Sequence, residues 1–207
     1  MNLKIKSLVA VLILAGLTAA VVRSQQPPTS NPGVKHFAKD GLSFDYPTGW
    51  EITDQSTGQL QYLSLARDGY AGIMVRSPRG GIDSKEKEDQ AKQLIQEGFI
   101  QAWAKNFADS GAKADRSVVS TEIAGVLAEG TRLSARLDGE PGHVDIHWRL
   151  IGTRLVPLAL VGSDRDIKKT EEAWNTIRNS IQFAGPAATP AATPAPAPAP
   201  APAKQKP

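Results

Sequence analysis

The residues best suited to chemistry in this sequence lie in the stretch HVDIHWR, residues 143–149. Polar and apolar residues alternate there, which is typical of a β-strand with one polar face. The alternation predicts that four polar side chains share this face: His143, Asp145, His147 and Arg149. The preceding predicted strand would add three more: Arg132, Ser134 and Arg136. Imidazole, carboxylate, hydroxyl and guanidinium groups in one place suit metal binding, proton transfer or recognition of a charged partner.

Geometry disfavours the first two of these chemistries. His143 and His147 lie about 13 Å apart along an extended strand, too far to bind one metal ion together. Asp145 and His147 are close enough to join a ligand from another strand. A serine hydrolase would use Ser134 with His147 and Asp145, but a flat sheet face has no oxyanion hole, and no G-x-S-x-G motif occurs. We therefore expect no catalytic residue, no metal site and no cofactor, and we interpret the seven side chains as a solvent-exposed partner surface.

Two blocks of strands, each followed by a helix, would position this face. Strands are predicted over residues 34–38, 42–46, 59–66, 72–77, 117–123, 127–137, 143–152 and 155–161. A capping box at Asp83 and Glu86 begins an amphipathic helix of about 24 residues whose apolar positions include Leu94 and Trp103. Asp164 is predicted to cap a closing helix with a narrow apolar stripe around Trp174. Hairpins dominate this order, which favours an α+β fold with a mostly antiparallel sheet and two main helices.

Turn-forming residues mark the ends of the strands. Asp40-Gly41 predicts a hairpin, and residues 138–142 (DGEPG) predict a loop between the two strands of the polar face. Tyr46-Pro47-Thr48-Gly49 predicts a type I turn that brings Trp50 back toward Phe44. We interpret Trp50 as a packing anchor rather than a ligand platform.

The two ends of the chain have a different composition from its middle. Residues 1–24 have the layout of a secretory signal peptide, with Lys4 and Lys6 before a short apolar run, although an uncleaved anchor is the alternative. Residues 25–33 form a flexible spacer, and residues 34–184 form one domain. Residues 185–207 form a disordered tail rich in Pro and Ala, which would act as a semi-rigid spacer or remain untethered.

Charge and cysteine content exclude several classes of protein. Five of the 24 basic residues lie outside 34–184, but all 21 acidic residues lie inside it, so the domain has a net charge of −2. This charge argues against nucleic acid as the partner. The sequence has no cysteine, which excludes disulfides, thiolate metal sites and a lipid-modified cysteine.

The segments LSFDYPTGW and LVPLALVGSDRDIKKTEEAWNTIRNSIQF resemble the PsbP-like domain family, in particular its secreted bacterial members. The resemblance spans about residues 34–183 and rests on positions such as Phe44, Trp50 and Trp174. It implies an α/β/α sandwich built on an antiparallel sheet of about seven strands, and roles in binding and assembly rather than catalysis. The chain departs from the many bacterial relatives that resemble lipoproteins, because it lacks their cysteine.

These observations together predict a secreted or periplasmic, noncatalytic binding or assembly module of the bacterial envelope. Its partner would be an envelope protein or complex, with membrane contact only if the signal remains uncleaved. A periplasmic carrier of a small ligand or metal is the alternative, using the same face or a cleft between the first helix and the sheet. A hydrolase ranks third.

Overall fold

The computed structural model of this chain describes residues 33–137 and 139–184. Within these ranges, it describes only the backbone of Gln96, Glu97 and Leu137. The predicted signal peptide, the predicted tail and all of the predicted spacer except Gly33 lie outside the described residues.

In the described residues, ten strands form two antiparallel sheets. The smaller sheet has the order β1-β2-β10 and consists of β1 (Val34–Lys39), β2 (Leu42–Pro47) and β10 (Gln182–Phe183). The larger sheet has seven strands in the order β3-β4-β5-β9-β8-β7-β6. Its strands are β3 (Glu51–Asp54), β4 (Leu60–Ala66), β5 (Gly72–Pro78), β6 (Asp115–Ile123), β7 (Val126–Leu137), β8 (Glu140–Ile151) and β9 (Arg154–Ser163).

Helices cover both faces of the larger sheet. The first helical stretch consists of α1 (Lys85–Leu94), a π-helical segment (Ile95–Ile100) and α2 (Gln101–Asp109). The second is α3 (Asp164–Ser180). The architecture is therefore the α/β/α sandwich that the resemblance implied. Within the described part of the chain, no helix combines the length and the apolar character needed to cross a bilayer.

Each face of the larger sheet has its own hydrophobic core. The core under α3 and the smaller sheet includes Phe44, Trp50 and Ile177, with Phe44 and Ile177 fully buried. The core under the first helical stretch includes Trp103 and Phe107. Because side chains alternate across a strand, β8 contributes Val144, Ile146 and Trp148 to the second core and turns its polar residues toward α3.

The π-helical segment changes the buried face of the first helical stretch. A π turn contains more residues than an α turn, so the apolar face shifts around the axis where the segment begins. Ile95, Ile100 and Trp103 are buried, but Leu94 is 73% exposed, so the prediction that Leu94 faces the core is wrong.

Both predicted helix caps are off by one residue. Ser84, not Asp83, precedes α1, and its hydroxyl accepts a hydrogen bond from the backbone N–H of Lys87. Ser163, not Asp164, caps α3 by accepting from the N–H of Asp166. Serine caps a helix as well as aspartate does, because its short side chain also places an oxygen within reach of the backbone N–H groups of the first turn.

Two predicted turns had different outcomes. Asp40 and Gly41 form the predicted two-residue turn between β1 and β2, both with positive φ. The predicted loop 138–142 is wrong in length, since β8 begins at Glu140 and Pro141 pairs with Arg136 in the ladder.

Candidate functional site

The pairing of β7 with β8 brings most of the predicted polar face together. Arg132 lies opposite Asp145, and Ser134 lies opposite His143. The predicted neighbour relationship between these two strands is therefore confirmed. Arg136 is two pairs further along the ladder, opposite Pro141.

Much of this face is buried, contrary to the prediction that it is exposed to solvent. His143 is 9% exposed, Asp145 7% and His147 3%. Helix α3 contacts both β8 and β9, and the Trp174 ring lies 6.1 Å from the His147 ring. The sequence pattern shows which side chains share a face, but it does not show that a helix returns across that face.

Arg132 and Asp145 form a bidentate ion pair at the centre of the face. Nε and Nη2 of Arg132 each donate to a carboxylate oxygen of Asp145 at 2.6 Å. This bond raises the pKa of Arg132. The Arg132 side chain is 38% exposed and that of Asp145 only 11%, so the pair connects the interior to the surface.

His143 links this ion pair to the first residue of α3. Its Nδ1 lies 2.9 Å from the Asp164 carboxylate, the distance of a hydrogen bond. Its Nε2 is buried, lies 3.6 Å from Asp145 and forms no hydrogen bond within the described part of the chain. The two ring nitrogens therefore face two different carboxylates, and the two carboxylates do not converge on one point.

His147 lies apart from this chain of contacts. Its Nδ1 is buried and has no hydrogen-bond partner in the described residues. Burial lowers the pKa of His147, and the nearby cations Arg132 and Arg178 lower it further, against the opposing effect of Asp145. His147 is therefore a neutral packing residue beneath Trp174 at neutral pH.

The two remaining arginines of the predicted surface have local contacts. Arg149 donates through Nη1 to the carbonyl oxygens of Ile123 and Ala124, so it holds the turn between β6 and β7. Arg136 is exposed and donates to the carbonyl of Gly139. Arg136 is the more exposed of the two, and it lines the same groove as Arg132.

An open groove lies where the hairpin joins β7 to β8, and it extends to the start of α3. We call it the β7–β8 groove, and its polar lining consists of Lys113, Asp115, Arg132, Ser134, Arg136, His143 and Asp164. Four of these belong to the predicted surface. Lys113, Asp115 and Asp164 were missed, because the chain places them far from β8 in sequence and only the tertiary fold brings them beside it.

The groove has the chemistry of mixed-charge recognition. Its lining combines cations and carboxylates, and Arg132 is held rigidly by Asp145. The hydrolase alternative needs Ser134 beside His147, but Ser134 lies opposite His143 and His147 lies opposite Gly130, so that arrangement is wrong. Among the described residues, no group of three or more histidine, aspartate or glutamate side chains is arranged to hold a metal ion.

Comparison with known proteins identifies similarity at the level of fold. No protein-family model and no curated protein matches the sequence. The structure is similar to the solution structure of cyanobacterial PsbP (CyanoP) from Synechocystis, with a TM-score of 0.46 and 10% identity over 78% of this chain and 98% of that one. It is also similar to a crystal structure from Bacteroides thetaiotaomicron, with a TM-score of 0.50 and 11% identity over 74% of this chain and 49% of that one.

A PsbP structure is therefore among those to which this chain is similar, as the resemblance in the sequence predicted. At 10–11% identity the likeness concerns the arrangement of the elements alone. No site residue is transferred from either structure.

Proposed function

We propose that this protein is a noncatalytic binding or assembly module of the bacterial envelope that receives a protein partner in the β7–β8 groove. The observation that carries the proposal is the Arg132–Asp145 ion pair, which holds the partly exposed Arg132 side chain in a fixed orientation in the lining of the groove. Its guanidinium can donate to a partner's carboxylate or carbonyl oxygen with little further loss of side-chain entropy.

The shape of the groove favours a macromolecule over a small molecule. Small-ligand sites are enclosed and mostly apolar, with a few polar groups that fix orientation. The β7–β8 groove is open, and Lys113, Arg136 and Asp115 provide a charged rim around it. A rim of mixed charge sets the specificity and orientation of a protein partner.

The secreted setting rests on the sequence of the N-terminus. Lys4, Lys6 and the apolar run that follows them support export, and the Pro- and Ala-rich residues 185–207 support a role as a spacer. N-terminal sequencing of protein recovered from the envelope fraction tests the first point, because a cleaved signal leaves a new N-terminus near residue 21 or 25.

The experiment that tests the proposal is crosslinking of the tagged full-length protein in its native envelope, followed by mass spectrometry. R136E and K113E reverse charge at the groove rim. K105E is the matched control, because Lys105 is also an exposed cation but lies on α2 across the sheet. We expect one set of partners to be retained by the unaltered protein and by K105E, and to be lost with R136E and K113E.

A second comparison assigns the binding to the domain. A form truncated after Gly185 should keep the same partners, since the tail is not part of the groove. Retention of every partner by both rim variants would contradict the proposal. If no protein is enriched in any form, the carrier alternative gains support, and metal content after purification without chelator is the next measurement.

A further inference from the structure

Strand β6 is a long edge of the larger sheet with no strand on its outer side in the described residues. It pairs with β7 without interruption over Asp115–Ile123. The opposite edge, β3, has only four residues. Natural proteins usually keep edge strands short or interrupt them, because an unpaired edge invites another strand.

The hairpin geometry determines which backbone groups of β6 point outward. Ala124 and Gly125 both have positive φ and form a two-residue turn, so Ile123 and Val126 are a hydrogen-bonded pair. Alternation along an antiparallel ladder then turns the N–H and C=O groups of residues 116, 118, 120 and 122 away from β7. The carbonyl of Glu122 accepts from Arg178, which agrees with this assignment.

The same hairpin carries most of the exposed large apolar side chains of the described residues. Val118 is 87% exposed, Leu127 71% and Val126 49%, and only Leu94 joins them elsewhere. Val118 and Leu127 lie on one face, because Leu127 pairs with Glu122 and residues 118 and 122 share a face. Val118 lies on the unpaired edge strand itself, so a strand added there would cover part of its side chain.

We propose that β6 pairs antiparallel with β6 of a second copy of this chain, joining the two larger sheets into one. In the register centred on Val119, Arg116 lies opposite Glu122 of the second copy, and the two-fold symmetry repeats this pair. The same register places the outward groups of Val118 opposite those of Ser120, as ladder hydrogen bonds require. Arg116 and Glu122 are both exposed, and neither forms an ion pair in the described part of its own chain.

Charge selects this register over its neighbours. A shift by two residues places Arg116 opposite Ser120 in one direction and beyond the end of β6 in the other, and both charge pairs are lost. A shift by one residue places outward-pointing backbone N–H and C=O groups of one copy opposite residues of the other copy whose backbone groups point inward, so the ladder hydrogen bonds cannot form. Arg149 binds the carbonyls of the hairpin turn, and Arg178 donates to the outward carbonyl of Glu122. The hydrogen bonds to the second copy are therefore expected chiefly from the outward backbone groups of residues 116, 118 and 120.

The test is sedimentation velocity of the full-length protein from about 1 μM to about 200 μM, a span that covers weak and moderate dimers. We expect a concentration-dependent dimer. R116E places like charges opposite each other at both ends and should weaken dimerisation by about tenfold or more, and E122R should do the same. The double variant R116E/E122R restores opposite charges and should restore the dimer.

Mixing the two single variants provides a sharper test. R116E and E122R each repel themselves but are complementary to each other, so an equimolar mixture should form heterodimers. S120P supplies an independent test, because it removes an outward N–H while an edge strand tolerates proline at that position. Circular dichroism and thermal melting of each variant confirm that the monomer remains folded.

A protein that stays monomeric up to about 200 μM would overturn the proposal. A dimer that persists unchanged in both S120P and R116E would also overturn it, because the contact would then involve another surface. The groove variants R136E and K113E should leave the dimer intact, which separates this inference from the proposed function.

Discussion

Gly130 lies directly opposite His147 in the β7–β8 ladder, and the missing side chain is what makes room for the imidazole. A Cβ atom at position 130 would overlap Nδ1 of His147 and lie 2.7 Å from the carbonyl oxygen of Ile146. The buried histidine and the glycine are therefore a matched pair beneath Trp174.

The first prediction follows from this contact. Gly130→Ala should lower the free energy of unfolding by about 1–3 kcal/mol, because the strand must shift to accommodate the methyl group. Gly98→Ala is the control: nothing lies within 4 Å of its Cβ position, and alanine favours helix, so stability should be unchanged or rise by up to about 1 kcal/mol. Urea unfolding of both variants measures the difference, and equal stability of Gly130→Ala and the unaltered protein would refute the packing argument.

The second prediction concerns pH. Burial lowers the pKa of His147 below its ordinary value of about 6.5, so the unfolded chain binds a proton there more readily than the folded one. The free energy of unfolding is therefore unaffected by the titration of His147 above about pH 6.5. It falls as the pH drops from that value toward the lower pKa of the folded state, with a slope of at most about 1.4 kcal/mol per pH unit.

Urea unfolding at a series of pH values from 7.5 to 5.5 measures this loss. His147→Gln removes the titrating group, so stability should fall less steeply over the same range than in the unaltered protein. Parallel pH profiles for the two proteins would show that His147 does not contribute to the pH dependence.

The third prediction uses the unequal burial of the central ion pair. Arg132→Met leaves the Asp145 carboxylate buried without its bidentate partner, so it should lower the free energy of unfolding by about 3 kcal/mol. Asp145→Asn leaves an arginine that can be hydrated through its exposed side, and should cost clearly less. Denaturant unfolding at pH 8, where an ordinary histidine is neutral, compares the two; the reverse order would contradict the assigned burial.

The fourth prediction tests the cap of α3. Ser163→Ala removes the hydroxyl that accepts a hydrogen bond from the Asp166 N–H. It should lower the free energy of unfolding, measured by urea unfolding, by about 1 kcal/mol. Asp164→Ala keeps the cap but loses the contact with His143. If the helix were capped by Asp164, as the sequence pattern suggests, Asp164→Ala would lose the helical cap and Ser163→Ala would be neutral.

The local periodicity of the sequence determined most of the elements. Alternation in HVDIHWR correctly assigned its polar and apolar residues to opposite faces of β8, because side-chain direction along a strand depends only on position. Asp40-Gly41 correctly marked a tight turn, because its positive φ angles are a local property of those residues. Phe44 and Trp50 were correctly assigned to the core by their size and apolar character.

Tertiary contacts decided what the periodicity left open. The polar face of β8 became largely interior because α3 returns across it, and this contact involves residues distant in sequence. The π-helical segment displaced Leu94 from the core, since a single wide turn alters the phase of every later position. The β7–β8 groove and the open edge of β6 likewise exist only once strand order is fixed, because neighbours across a sheet are chosen by the packing of the whole chain.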